Sequence, residues 1–200
     1  MTLPGKFFFW PYAEDLQPCI DELRPLFQES VLWPWCAPGP PAGIAGDLVE
    51  FIALLCRTWD VSPWWLVVSA QREQSLWSYG KNDVLPPHVA QAWLGYVAQD
   101  VGRTTRPAYF GLYTQVERMV AQTAWYMNHL PDDAWPEHAQ KNHALRYSPG
   151  GIIHMADGTA DKTDLDMPSW VQWQYTPHTP ILEDNWNDAQ GRVPAKYLLP

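Results

Sequence analysis

The run Ser62-Pro63-Trp64-Trp65-Leu66-Val67-Val68-Ser69-Ala70-Gln71-Arg72-Glu73-Gln74-Ser75-Leu76-Trp77 constrains this chain more than any other segment. Ser62 can accept a hydrogen bond from an early backbone N–H, and Pro63 fits the first helical position, where no donor is required. Leu66, Ala70, Glu73 and Trp77 then recur at helical spacing. The spacing predicts a helix that carries one carboxylate on a face otherwise suited to a core. A charged and unpaired glutamate on an apolar stripe is costly. Two readings are open: Glu73 pairs with a cation, for which Arg72 and Arg118 are candidates, or it works as a catalytic acid.

The surroundings of that helix read as a mainly helical protein. Residues 14–30 place Leu16, Ile20, Leu23 and Phe27 at roughly helical spacing, with an interruption expected near Pro18 or Pro25. Residues 32–43 are rich in proline and glycine and read as an irregular connection. A second helix is expected over 44–59, with Leu48, Ile52, Leu55 and Trp59 on one face. Asp60-Val61-Ser62-Pro63 is then the turn into the Glu73 helix, so these two helices should pack as an antiparallel or crossed pair. Residues 86–100, with Val89, Ala92, Trp93 and Tyr96, form another candidate helix.

The strongest periodicity lies in residues 114–130, where Val116, Met119, Val120, Thr123, Met127 and Leu130 make a continuous stripe. Residues 143–158, around Pro149-Gly150-Gly151, suggest two short strands and a turn. Residues 169–175 suit a further helix turn or strand, and the tail from 181 is weakly patterned. The expected architecture is a helical bundle around a central Glu-bearing helix, with a small β-hairpin. It forms one domain overall, residues 1–43 being an extension packed on a main body of 44–200.

Composition narrows the partners. A net charge of −9 with no basic run argues against nucleic acid, whose phosphates require clustered Lys and Arg. No stretch is long and apolar enough to suggest a membrane span, and residues 1–11 do not read as a signal peptide. Synthesis in the cytoplasm is therefore expected. Thirteen tryptophans allow two accounts, a core padded with large side chains or a groove whose flat rings stack on sugars. The first suits most of them. The three cysteines, Cys19, Cys36 and Cys56, show no CxxC spacing. Cys56 reads as a core thiol; a Cys19–Cys36 bridge is open, with reduced thiols preferred. The six histidines show no paired metal-ligand spacing, and Asp157, Asp161, Asp164 and Asp166 lack the terminal Glu of a calcium loop. No metal and no cofactor is expected.

The segment from Val61-Ser62-Pro63 through Gln71-Arg72-Glu73-Gln74-Ser75-Leu76 resembles the catalytic helix of lysozyme-like lytic transglycosylases and goose-type lysozymes, in a variant with Glu-Gln-Ser in place of Glu-Ser. Three blocks follow in the expected order. Tyr109-Phe110-Gly111-Leu112-Tyr113-Thr114-Gln115-Val116 resembles the block lining the sugar groove, residues 121–128 resemble the helix after it, and Gln174-Tyr175-Thr176-Pro177-His178-Thr179-Pro180 resembles the family's Tyr-Thr-Pro ending.

The likeness covers residues 45–180. It implies a peptidoglycan-degrading enzyme, hydrolase or lytic transglycosylase, cleaving the β-1,4 bond between N-acetylmuramic acid and N-acetylglucosamine. Glu73 would be the single general acid/base, the substrate's N-acetyl group replacing a second carboxylate. Gln74, Ser75, Trp77, Tyr113, Gln115, Tyr147 and Tyr175 become the candidate substrate-binding residues. Gln115 would bond a sugar N-acetyl or hydroxyl group, and Tyr147 or Tyr175 would aim a phenol at Glu73. Gln74 stands where the family's usual serine would be. A phage lysin or virion component is the expected setting. The alternatives are a non-catalytic structural or glycan-binding protein of the same fold and a chitinase-like enzyme.

Overall fold

The computed structural model describes residues 8–36, 46–94, 108, 110–128 and 192–198. Among these residues the regular structure is helical, with no strand beyond one isolated bridge between Ser30 and Gly80. The helices are α1 (Gln17–Gln28), α2 (Leu48–Thr58), α3 (Pro63–Gln74), α4 (Pro87–Ala92), α5 (Leu112–Asn128) and α6 (Ala195–Leu198). Short 3₁₀ turns cover Trp33–Trp35 and Leu76–Ser78. The expected hairpin of residues 143–158, the 169–175 segment, the Asp157–Asp166 loop and Leu130 lie outside the described residues.

Pro18 sits in the first turn of α1, where its missing N–H is no loss, and Pro25 is accommodated inside the helix. Asp21, whose carbonyl faces the proline ring's missing donor, is exposed, so water can serve that carbonyl. The helix therefore runs through the expected interruption. The apolar residues Cys19, Ile20, Leu23 and Phe27 are buried against the rest of the core.

α2 opens on Asp47, whose Oδ1 accepts from the Val49 and Glu50 amides at 2.8 and 3.3 Å. Arg24 of α1 bonds the Asp47 carboxylate, and donates to the Cys36 carbonyl at 2.9 Å. The buried face of α2 is Leu48, Val49, Ile52, Ala53 and Cys56. It is rotated from the expected stripe, leaving Leu55 half-buried and Trp59 exposed. Asp60, in left-handed backbone with φ 54°, turns the chain, and the Val61 amide closes back on the Cys56 carbonyl at 2.8 Å.

Every residue from 61 to 71 is buried, so α3 is enclosed on all sides as far as Gln71 and not merely along one stripe. Ser62 and Pro63 do start it, as the sequence predicts, but the Ser62 side chain makes no cap. The Ser62 amide instead donates to the Phe8 carbonyl at 2.9 Å, and its carbonyl accepts from the Trp65 amide at 3.2 Å. Trp65 Nε1 donates to Thr123 Oγ1 of α5 at 3.1 Å, tying the two longest-buried stripes together. On α5, Val116, Met119, Val120, Thr123 and Met127 are all buried, matching the predicted face.

The buried tryptophans are core residues whose indole N–H groups are satisfied. Trp64 donates to Tyr12 Oη, Trp77 to the Val67 carbonyl and Trp93 to the Leu112 carbonyl, at 3.1, 2.8 and 3.0 Å. Phe27 packs edge-on against both Trp77 and Trp93, at centroid separations of 5.0 and 6.3 Å. The N-terminal residues 8–36 thus share one core with α2–α5. All three cysteines are buried and free, and no Cys19–Cys36 bridge is formed.

The chain's C-terminal end is clasped to its N-terminal end. The Glu22 carboxylate accepts from Tyr12 at 2.9 Å, from Tyr197 at 2.7 Å, and from Lys196. The Tyr197 ring stacks on Trp64 at 5.5 Å and 29°. This places α6 against the first turn of α3; from residue 64 to residue 73 is about 14 Å along the helix axis. No described helix is long and apolar enough to cross a membrane.

Candidate functional site

Glu73 occupies the last turn of α3 and is half-buried. Because the preceding turns are wholly enclosed, the carboxyl emerges where a buried helix meets the surface. Helix and surroundings fix its Cα; a loop would not have done so.

The chain immediately after Glu73 is held in an uncommon conformation. Ser75 has φ 49° and ψ 37°, left-handed backbone that an L side chain adopts at a cost of roughly 1–2 kcal/mol. Its amide bonds the Ala70 and Gln71 carbonyls, closing the helix. Gln71, one helical turn before Ser75, does the rest. Its Oε1 accepts from the Trp77 amide at 2.8 Å, and its Nε2 donates to Ser78 Oγ at 3.3 Å. Leu76 and Trp77 then drive into the core beside Phe27. Beyond them the Tyr79 carbonyl accepts from the Val31 amide at 3.1 Å, and Gly80 is bridged to Ser30. The segment flanking Glu73 is therefore pinned at both ends, by a glutamine within its own helix and by the N-terminal segment.

The structure distributes the sequence-predicted residues unevenly. Gln74 is half-buried and Ser75 exposed, both adjacent to Glu73 on the surface side. Trp77 is only 6% exposed, with its indole N–H committed to the Val67 carbonyl, so it braces the site from beneath. Gln115 is 0% exposed, and its Oε1 accepts from the Leu94 amide at 3.3 Å, joining α5 to the end of α4. Each of these two presents a buried side chain engaged with backbone.

Tyr113 is half-buried at the start of α5, packs edge-on against Phe51 at 5.0 Å, and donates to the Gly46 carbonyl at 3.0 Å. Burial, with Cys36 and Asp47 adding unfavourable negative charge, pushes its phenol up to about 12. Tyr147 and Tyr175 lie outside the described residues.

Two residues near Glu73 carried no expected role. Gln71 was visible as part of the resemblance, and its clamp becomes evident only when residue 77 folds back over the helix end. Ser69 is the second: it is 0% exposed, and its hydroxyl has no hydrogen-bond partner. Among the described residues no group of three or more His, Cys, Asp or Glu side chains is arranged to hold a metal ion. Comparison with protein-family models, curated proteins and solved structures finds no match to this chain.

Proposed function

We propose that this protein cleaves peptidoglycan glycan strands as a lysozyme-like glycosidase, with Glu73 as its acid/base. The observation that carries the reading is the setting of Glu73: a half-buried carboxyl on the last turn of an enclosed helix, next to a strained turn pinned by Gln71. Strain and pinning of this kind gather at sites that must hold a geometry. The sequence resemblance supplies the chemistry. The Glu73 carboxyl delivers its proton to the glycosidic oxygen between N-acetylmuramic acid and N-acetylglucosamine as that bond breaks. The substrate's N-acetyl group stabilises the electron-poor anomeric carbon, so one protein carboxylate suffices. The carboxylate then takes a proton from the incoming nucleophile, which is water in a hydrolase or the muramyl 6-hydroxyl in a lytic transglycosylase. In this reading Gln74 and Ser75, which follow Glu73 directly in the chain, contact the sugar. A phage lysin or virion component is the setting this activity fits.

The burial of Trp77 and Gln115 favours one alternative, a lysozyme-like structural protein that assembles without turnover. Purified protein incubated with bacterial cell walls separates the two, and a chitin substrate tests the chitinase-like reading alongside. Lysis by the wild type and its loss in Glu73→Gln is the expected result; lysis undiminished in that variant removes Glu73 from the mechanism. Mass spectrometry of the fragments distinguishes hydrolysis from transglycosylation by a 1,6-anhydromuramyl end.

A further inference from the structure

Ser69 lies one helical turn before Glu73 on the same face of α3. Its hydroxyl is fully enclosed and bonds nothing, not even the Trp65 carbonyl one turn back, the usual recourse of a serine inside a helix. Buried hydroxyls are nearly always satisfied, so one that is not calls for a reason. An alanine there would pack as well and favour the helix more.

Geometry supplies a partner. Side chains on an α-helix lean toward its N-terminus, and residues four apart have Cβ atoms about 5–6 Å from each other. A glutamate at position 73 therefore leans back over position 69, with a side chain long enough to bring its carboxyl to a serine hydroxyl. A hydroxyl can turn to donate or accept as its neighbour's protonation changes.

We propose that Ser69 is a positioning residue for Glu73, its hydroxyl donating to the carboxylate left when Glu73 gives up its proton. This rests on the acid/base reading of Glu73 given above. In that role the hydroxyl steadies the carboxylate while the sugar intermediate awaits its nucleophile, and fixes the rotamer from which the proton is delivered. Whatever other contacts Glu73 makes, this one comes from inside the helix and needs no movement of the backbone.

The test compares Ser69→Ala and Ser69→Thr with the wild-type protein in cell-wall lysis, thermal melting and carboxyl NMR titration of Glu73. For Ser69→Ala we expect KM little changed and, at a pH below the Glu73 midpoint where the carboxyl is protonated, a melting temperature no lower than wild type. The expected loss in kcat is about tenfold, the scale of one hydrogen bond to a charged group. The Glu73 titration midpoint should rise by about one pH unit, because a donor to the charged form has been removed. Threonine keeps the hydroxyl and should restore both.

A lower melting point in Ser69→Ala below the Glu73 midpoint, or an unmoved midpoint, overturns the inference even where Glu73→Gln abolishes lysis. A moved midpoint in a protein that lyses nothing overturns the enzymatic reading and leaves the Ser69–Glu73 bond standing.

Discussion

Replacing Gln71 with leucine should destabilise the protein through one specific bond. Gln71 is buried, and its Oε1 is the acceptor for the Trp77 amide at 2.8 Å, itself a buried bond. Leucine matches glutamine closely in size and helix propensity, so neither packing nor the helix is the perturbed term. What remains is an enclosed N–H with no acceptor, which costs about 1–3 kcal/mol.

The second Gln71 bond, to Ser78 Oγ at 3.3 Å, adds little because Ser78 is exposed and water can replace it. A loss of about 2 kcal/mol corresponds to about 4–8 °C in melting temperature for a protein of this length. Thermal unfolding followed by circular dichroism, with urea unfolding for the free energy, measures it directly. Ser78→Ala serves as the control and should melt within about 1 °C of wild type. The turn carrying Ser75 would also be released on one side, so lysis should fall more steeply than stability. If Gln71→Leu melts with the wild-type protein, the clamp does not hold the turn and the account of the site is wrong.

Acid should open the clasp between the two chain ends. Burial disfavours the charge on Glu22, but hydrogen bonds from Lys196, Tyr197 and Tyr12 outweigh it and hold the carboxyl below its ordinary value of 4.5. A depressed folded-state value gives stability that is present above the ordinary value and is lost as pH falls through the folded one. Melting temperatures of wild type and Glu22→Gln should therefore differ at neutral pH and converge in acid; a gap that stays constant into acid counts against the clasp. Burial also pushes the Cys19 and Cys36 thiols up to about 12, and raises Cys56 as well. Thiolates are the reactive form, so a thiol reagent should label none of these cysteines in the folded protein and all of them in denaturant. Rapid labelling of the folded protein would show that this part of the core opens.

What could be read directly from the chain was decided within a few residues. The start of α3 at Pro63, the turn at Asp60, the buried stripe of α5 and the reduced state of the cysteines follow from backbone geometry, apolar spacing and count. The α2 face was misplaced because Leu48, Val49, Ile52, Ala53, Leu54 and Leu55 offer apolar residues nearly all round. Which of them point inward depends on α1 and α5, which contact it from outside its own sequence. Ser62 shows the same limit at the scale of a cap. Its position was legible, but the partner that takes its amide, the Phe8 carbonyl, comes from a segment far away in the chain.

The sequence by itself determined a helix bearing one glutamate near its end, and with it the resemblance that suggests a glycosidase. Only the tertiary structure decided that residues 61–71 are all buried, because that enclosure is made by segments distant in the chain, α2 and α5 among them. It also decided that Trp77 and Gln115 belong to the core, that Gln71 reaches past a left-handed Ser75 to hold the Trp77 amide, and that Ser69 keeps an unused hydroxyl one turn below Glu73. Periodicity reports which face of a helix is apolar. Whether a polar atom on that face finds a partner is settled by what packs against it, and that is a property of the assembled fold.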